Sequence, residues 1–265
     1  MTKSSKFASA AKPVPANAIH TDSSGLIAGD VAVPTPTGTM PGYRALPSMR
    51  GPHPIVLVVP EIFGLHEHIR DVVRRLAKLG YYAIAPDVFF RQGDPAQYTD
   101  IEDIRTHIIS KVRDEQVLAD LDATLEWARQ NGGDAMRLLA TGFCWGGRIT
   151  WLYAAHQPKV RAAVAWYGKL TAPKNAHQPR HPLDVAGQLR APLLGLYGGQ
   201  DESIPLEQVE QMRSALREAR SASQVLVYPD AGHAFYADYR PSYRREAAED
   251  GWQRMQAWFH QHTRS

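Results

Sequence analysis

The chain has 265 residues, a formal net charge of +3 and one cysteine. The charge is too small and too scattered to indicate nucleic-acid binding, and a lone cysteine excludes an internal disulfide and fits a reducing compartment. No stretch is apolar enough for a signal peptide or a membrane span, so we expect a cytoplasmic protein. A flexible tail over residues 1–20 is expected to precede one domain over residues 21–265.

Apolar runs with strand character alternate with amphipathic stretches along most of the chain. The predicted strands are 29–34, 43–47, 54–60, 81–85, 138–140, 160–167, 192–197 and 224–228. The predicted helices span 66–79, 101–130, 148–155, 206–220 and 247–262. Residues 89–100 and 169–188 are expected to be loops, the first of which shapes a pocket mouth. This alternation predicts an α/β fold with a doubly wound, mostly parallel sheet and helices on both faces.

One segment, Thr141-Gly142-Phe143-Cys144-Trp145-Gly146-Gly147, follows a predicted strand and precedes a predicted helix. This is the pattern of a nucleophile elbow, G-x-S-x-G, with cysteine in place of serine. Gly142 and Gly146 leave room for a sharp turn that a Cβ atom would block. The following helix points its N-terminus at Cys144, which favours the thiolate. The pattern therefore predicts a nucleophilic Cys144 rather than a buried, inert thiol.

Polar candidates follow four of the predicted strands, at the edge where parallel strands end: Glu61, Cys144, Asp201 and His233. Nucleophile, acid and histidine come in the chain order of the α/β-hydrolases, which predicts that fold. In acyl transfer Cys144 would attack a carbonyl carbon, His233 would manage its proton and Asp201 would fix the imidazole tautomer. We therefore expect a Cys-Asp-His triad.

The pattern leaves the acid of this triad open, because Asp230 and Glu202 lie close to Asp201 or His233 and have the right chemistry. A turn-capping role is also open to Asp201. The oxyanion requires two donors, and we expect these to be the backbone N–H groups of Ile62 and Trp145.

These motifs together resemble the dienelactone hydrolase family (carboxymethylenebutenolidases) over residues 25–262. The resemblance is carried by Pro60-Glu61-Ile62-Phe63-Gly64, Pro86-Asp87 with Arg91-Gln92, Gly142-Phe143-Cys144-Trp145-Gly146-Gly147, Gly199-Gln200-Asp201 and Gly232-His233-Ala234-Phe235. It implies that Glu61 lies close to the thiol of Cys144 and takes part in generating the thiolate when substrate arrives. A helix-capping or loop role is the alternative for Glu61.

Members of the family that accept dienelactone hold its carboxylate with two arginines. Arg91 matches the first, but the position of the second, four residues after His233, is Ala237. Candidates for the missing charge are Arg240, Arg148 and Lys169. Aromatic residues that we expect to line an apolar, substrate-binding pocket include Phe90, Trp145 and Tyr236. A pocket with one arginine and many aromatic rings favours a bulkier, less acidic ester as the substrate.

The predicted reaction is hydrolysis of enol esters, lactones, aryl esters or thioesters, with little action on amides. When the leaving group of the substrate is poor, the tetrahedral adduct on Cys144 expels the thiolate instead and reverts to substrate. We expect no cofactor, nucleic-acid or membrane partner, and a monomer or small homo-oligomer. No metal site is expected, because His66 and His68 would point away from each other on a helix and Pro179 separates His177 from His181. A non-catalytic small-molecule binder on the same scaffold is the alternative function.

Overall fold

The computed structural model describes residues 7–263. Its strands are β1 (Leu26–Thr35), β2 (Gly38–Pro47), β3 (His53–Val59), β4 (Tyr82–Pro86), β5 (Gly133–Phe143), β6 (Val160–Trp166), β7 (Leu193–Gly198) and β8 (Gln224–Tyr228). Its α-helices are α1 (Glu67–Lys78), α2 (Ile101–His107), α3 (Asp114–Gln130), α4 (Trp145–His156), α5 (Pro182–Val185), α6 (Leu206–Glu218) and α7 (Arg245–Thr263). None of these helices is long and apolar enough to cross a bilayer.

The eight strands form one sheet in the order β1-β2-β4-β3-β5-β6-β7-β8. Strand β2 pairs antiparallel with both β1 and β4, and every other pair is parallel. Strands β4 and β7 are buried along their whole length, as their continuous apolar runs require. The prediction of an α/β-hydrolase fold is confirmed, and the parallel strands bring their carboxyl ends to one edge of the sheet.

The single helix predicted over residues 101–130 is wrong, because the chain breaks into α2, a 3-10 turn at Ile109–Lys111, and α3. Asp114 explains the break. Its buried carboxylate accepts two hydrogen bonds from Arg148 on α4, at 2.7 and 2.6 Å, and its N–H donates to the carbonyl of His177. The chain turns before Asp114 to make these long-range contacts, which local periodicity does not encode.

A flexible tail is predicted over residues 1–20. Residues 1–6 lie outside the described residues, and several of residues 7–20 pack against the domain. They contain two 3-10 turns, Ser9–Ala11 and Pro15–Asn17, and the side chains of Ala8, Ala10 and Ala11 are buried. Their small size lets the backbone lie close to the domain surface.

Candidate active site

Cys144 lies at the sharp turn between β5 and α4, with φ of 54° and ψ of −116°. This backbone conformation is unfavourable for a non-glycine residue by about 1–3 kcal/mol. Residues strained in this way are concentrated at functional sites. The turn is held from both sides, since the N–H of Cys144 donates to the carbonyl of Trp166 and its carbonyl accepts from the N–H of Arg148. The sequence pattern of an elbow is thus matched by elbow geometry.

Glycine is required on both sides of Cys144 because backbone approaches too closely for a Cβ atom. At Gly142 a Cβ would lie 2.5 Å from the hydroxyl oxygen of Thr150 and closer still to the carbonyl of Gly146. At Gly146 it would lie 2.5 Å from the carbonyl oxygen of Pro60, at the end of β3. The elbow is therefore packed directly against the loop that follows β3.

The side chains of Cys144, His233 and Asp201 form a continuous chain of polar contacts across three strand ends. His233 Nε2 lies 3.1 Å from Cys144 Sγ, and His233 Nδ1 lies 2.7 Å from Asp201 Oδ2. The other carboxylate oxygen of Asp201 accepts from the N–H and the hydroxyl of Ser203, at 2.9 and 2.6 Å. Glu202 and Asp230, the alternative acids, are exposed, so the acid that contacts His233 is Asp201.

The charges around His233 favour its protonated form. Burial disfavours the imidazolium, but the neighbouring Cys144 sulfur and Asp201 carboxylate outweigh burial and raise the pKa of His233 to about 10. Burial also acts to raise the pKa of Asp201, but its hydrogen bonds with His233 and Ser203 lower that pKa overall. The carboxylate on one side and the sulfur on the other therefore both favour the protonated form of the His233 imidazole.

The two backbone amides expected to stabilise an oxyanion belong to segments that are in contact. Ile62 follows the β3 end against which Gly146 packs, and Trp145 is the first residue of α4. Neither amide donates to another residue between positions 7 and 263. Both N–H groups are therefore without a backbone acceptor in the described part of the chain, as the predicted oxyanion role requires.

Glu61 is buried beside this site, and the structure gives it a partner other than Cys144. Its Oε2 accepts from the hydroxyl of Tyr239 at 2.8 Å and lies 3.6 Å from His66 Nε2. Burial acts to raise the pKa of Glu61, but His66, His68 and Arg240 outweigh it and lower that pKa to about 2. Helix α1 has His66 at its N-cap, so Glu61 does not cap that helix.

Tyr167, an aromatic residue predicted near the pocket mouth, directly follows β6 and is fully buried beside His233. It has φ of 39°, its ring contacts the ring of His233 at 5.2 Å, and burial and the charges of Glu61 and Cys144 hold its pKa well above the usual value. Among residues 7–263 its buried hydroxyl has no hydrogen-bond partner.

The geometry of His66 and His68 also differs from expectation. Because His66 precedes the first turn of α1, the two rings do not point apart but stack 6.1 Å from each other, at 26°. Both rings pack on Tyr239, at 5.1 and 4.9 Å. Within residues 7–263 no group of three or more histidine, cysteine or acidic side chains could hold a metal ion.

Two residues predicted to bind substrate, Tyr236 and Arg91, have side-chain partners within the protein. Tyr236 is 4% exposed, its ring stacks on Phe143 at 5.3 Å, and its hydroxyl accepts from Arg75 of α1. Most of the Tyr236 ring is therefore packed in the core, and the residue also lines a small pocket with Ile19 and Arg75. Arg91 donates to both carboxylate oxygens of Asp120 in α3, at 2.7 and 2.9 Å.

The other predicted binding residues lie in the same region as Arg91. The Arg91 guanidinium covers the ring of Phe90, 4.1 Å from its centroid. Trp145 is 8% exposed, and its ring packs on Phe89 at 4.9 Å. Ala237 has no exposed surface, so an arginine there would not fit without a rearrangement of the core.

The three residues that could supply the missing positive charge lie in different surroundings. Arg148 is engaged with Asp114, and Lys169 is exposed. Arg240 lies over the ring of Phe63, 5.4 Å from its centroid, in the loop that follows β3. Of the three, Arg240 is the cation next to the site.

The pairing of Arg91 with Asp120 predicts a structural role for this arginine. Because the Asp120 side chain is 1% exposed, Arg91→Ala is expected to lower the free energy of unfolding by about 3 kcal/mol. We expect kcat/KM for a neutral aryl ester to change by less than about threefold. Urea denaturation and steady-state kinetics measure both quantities.

The exposed pair of Arg105 and Glu102 provides a matched control, because removing it is expected to change stability by less than about 0.5 kcal/mol. An Arg91→Ala variant with unchanged stability and a selectively raised KM for anionic esters would instead make Arg91 a substrate-binding residue.

This chain is similar in sequence to known proteins. The sequence profile of the Dienelactone hydrolase family matches residues 40–263. The chain is 57% identical over 262 residues to the "Putative carboxymethylenebutenolidase" of Escherichia coli (strain K12), covering 98% of this chain and 97% of that protein. It is 32% identical over 212 residues to the "Probable 2-oxo-3-(5-oxofuran-2-ylidene)propanoate lactonase" of Bradyrhizobium sp, covering 79% and 84%.

A solved structure agrees with these sequence matches. The "Crystal Structure of Putative Dienelactone Hydrolase from Klebsiella pneumoniae subsp. pneumoniae MGH 78578" has a TM-score of 0.88 and 60% identity, covering 89% of this chain and 99% of that one. The profile match and the identities over nearly the whole chain show that this protein belongs to the dienelactone hydrolase family and hydrolyses ester or lactone bonds.

Proposed function

We propose that the protein hydrolyses activated esters and lactones through an acyl-enzyme on Cys144, with His233 and Asp201 completing a catalytic triad. The observation that carries this proposal is the 3.1 Å distance between His233 Nε2 and Cys144 Sγ. At this distance a proton can move between the imidazole and the sulfur, and Asp201 fixes the imidazole from the other side.

In the first half of the reaction the sulfur of Cys144 attacks the carbonyl carbon, and the oxyanion accepts from the N–H groups of Ile62 and Trp145. The bond between carbon and the leaving oxygen breaks, His233 gives that oxygen its proton, and a thioester remains. In the second half His233 takes a proton from water, the resulting hydroxide attacks the thioester, and the thiolate leaves. Glu61 takes part in adjusting the protonation of the thiol when substrate binds.

The favoured substrates are enol esters and lactones, because their leaving groups are expelled readily from a sulfur adduct. The names of the Escherichia coli and Bradyrhizobium relatives also specify lactone substrates. Bulkier aryl esters or thioesters are the second candidate class. They are favoured by the engagement of Arg91 with Asp120 and by the absence of an arginine at Ala237, both of which weaken recognition of a small anionic lactone.

Mixing excess p-nitrophenyl acetate with the wild-type protein tests this function. We expect a burst of p-nitrophenol of about one equivalent per protein, no burst from Cys144→Ala, and turnover of p-nitroacetanilide at least about 100-fold slower, because amide nitrogen is a poor leaving group. Wild-type protein without a burst or turnover would favour the non-catalytic binder. Amide turnover equal to ester turnover would contradict the role of the thiolate.

A further inference from the structure

The N-terminal strap, residues 7–21, lies before residue 40, where the match to the family profile begins. It is nevertheless built into the molecule, because its buried alanines belong to the hydrophobic core. Its far end is tied to α1, since the N–H of Thr21 donates to Asp71 at 2.6 Å and the carbonyl of Thr21 accepts from Arg74 at 2.7 Å. The strap is therefore a fixed part of the fold outside the region that defines the family.

Two of the strap's contacts converge on one residue, Tyr239. The ring of Phe7 stacks on the ring of Tyr239, with centroids 5.0 Å apart and planes 10° apart. The N–H of Val14 donates to the carbonyl of Tyr239 at 2.6 Å. The strap thus restrains both the ring and the backbone of Tyr239.

Tyr239 is in turn the hydrogen-bond donor to Glu61. Its hydroxyl lies 2.8 Å from Glu61 Oε2, and both side chains are buried. Among residues 7–263 the other carboxylate oxygen, Oε1, has no hydrogen-bond partner. The direct contact with Tyr239 is therefore the main geometric restraint on the Glu61 carboxylate, while His66 lies slightly farther away at 3.6 Å.

We propose that the strap is a positioning element for Glu61, with Phe7 acting through Tyr239. This inference rests on the proposed function, in which Glu61 assists the formation of the thiolate. A carboxylate that exchanges a proton must be held to within a fraction of an ångström, and displacement by about 1 Å can lower a rate by as much as 100-fold. Removing the Phe7 ring frees one face of Tyr239 and loosens Glu61.

A double-mutant cycle in the full-length protein tests this inference. We expect Phe7→Ala to lower kcat/KM for p-nitrophenyl acetate by about 5- to 10-fold in the wild-type background and by less than about twofold in the Glu61→Gln background. Tyr239→Phe, which keeps the ring but removes the hydroxyl, is expected to lower kcat/KM at least as much as Phe7→Ala. Phe7→Tyr retains the stacked ring and is expected to retain activity.

Ile19→Ala is the matched control, because Ile19 is an exposed apolar residue of the same strap. It is expected to leave kcat/KM unchanged. The strap proposal is overturned if Phe7→Ala lowers only Tm, or if it slows wild type and Glu61→Gln by the same factor. Wild-type protein without a burst contradicts the proposed function itself, and with it the role of Glu61, so the two failures are distinguishable.

Discussion

His233→Ala is expected to lower kcat/KM for p-nitrophenyl acetate by about 10⁴-fold, because it removes the group that moves protons in both halves of the reaction. His233 is 3.1 Å from Cys144 Sγ and 2.7 Å from Asp201 Oδ2. Without the imidazole, the Cys144 side chain also loses the base that lies within proton-transfer distance of its sulfur. Steady-state kinetics on the purified variant measure the effect.

His260→Ala is the control for this change, since His260 is an exposed histidine of α7. It is expected to be as active as wild type. Thermal unfolding of both variants separates loss of chemistry from loss of fold. If His233→Ala kept activity within about tenfold of wild type while folded, another group would have to move the proton.

Gly146→Ala is expected to lower kcat/KM by at least about 100-fold, because the added Cβ forces the elbow away from the end of β3. The atoms it would meet are the backbone carbonyl oxygens of Val59 and Pro60, the second at 2.5 Å. Neither carbonyl can rotate away as a side chain could. The shift separates Cys144 from the amide of Ile62, so both nucleophile and oxyanion donor are misplaced.

Gly29→Ala is the matched control for the added methyl group. A Cβ at Gly29, in β1, would have no heavy atom within 4 Å. We expect this variant to match wild type in kcat/KM and in Tm. A Gly146→Ala variant as active as Gly29→Ala would show that contact between the elbow and the β3 end is not needed.

Sequence alone identified the residues that meet at the site because they share a simple topological property. Glu61, Cys144, Asp201 and His233 each follow a strand, and a parallel sheet carries all such positions to one edge. The strand-to-helix turn at Cys144 is specified locally by its glycines. This part of the site is therefore encoded by short stretches of sequence and one rule of sheet topology.

The contacts that sequence missed are long-range pairings of side chains with several chemically reasonable partners. Arg91 pairs with Asp120 rather than remaining free for substrate, and the Tyr236 hydroxyl accepts from Arg75 across 161 positions of the chain. The strap contact between Phe7 and Tyr239 is of the same kind. Each partner choice depends on packing of helices and loops against the sheet, which hydrophobic periodicity does not specify.

Quenching the reaction with p-nitrophenyl acetate during the burst, and then measuring the mass of the intact and digested protein, tests the central claim most directly. The proposed mechanism predicts one added acetyl group on the peptide that contains Cys144, the single cysteine of the chain, and its disappearance as substrate is exhausted. Continued turnover with an unmodified Cys144, or with the acetyl group on another residue, would contradict it.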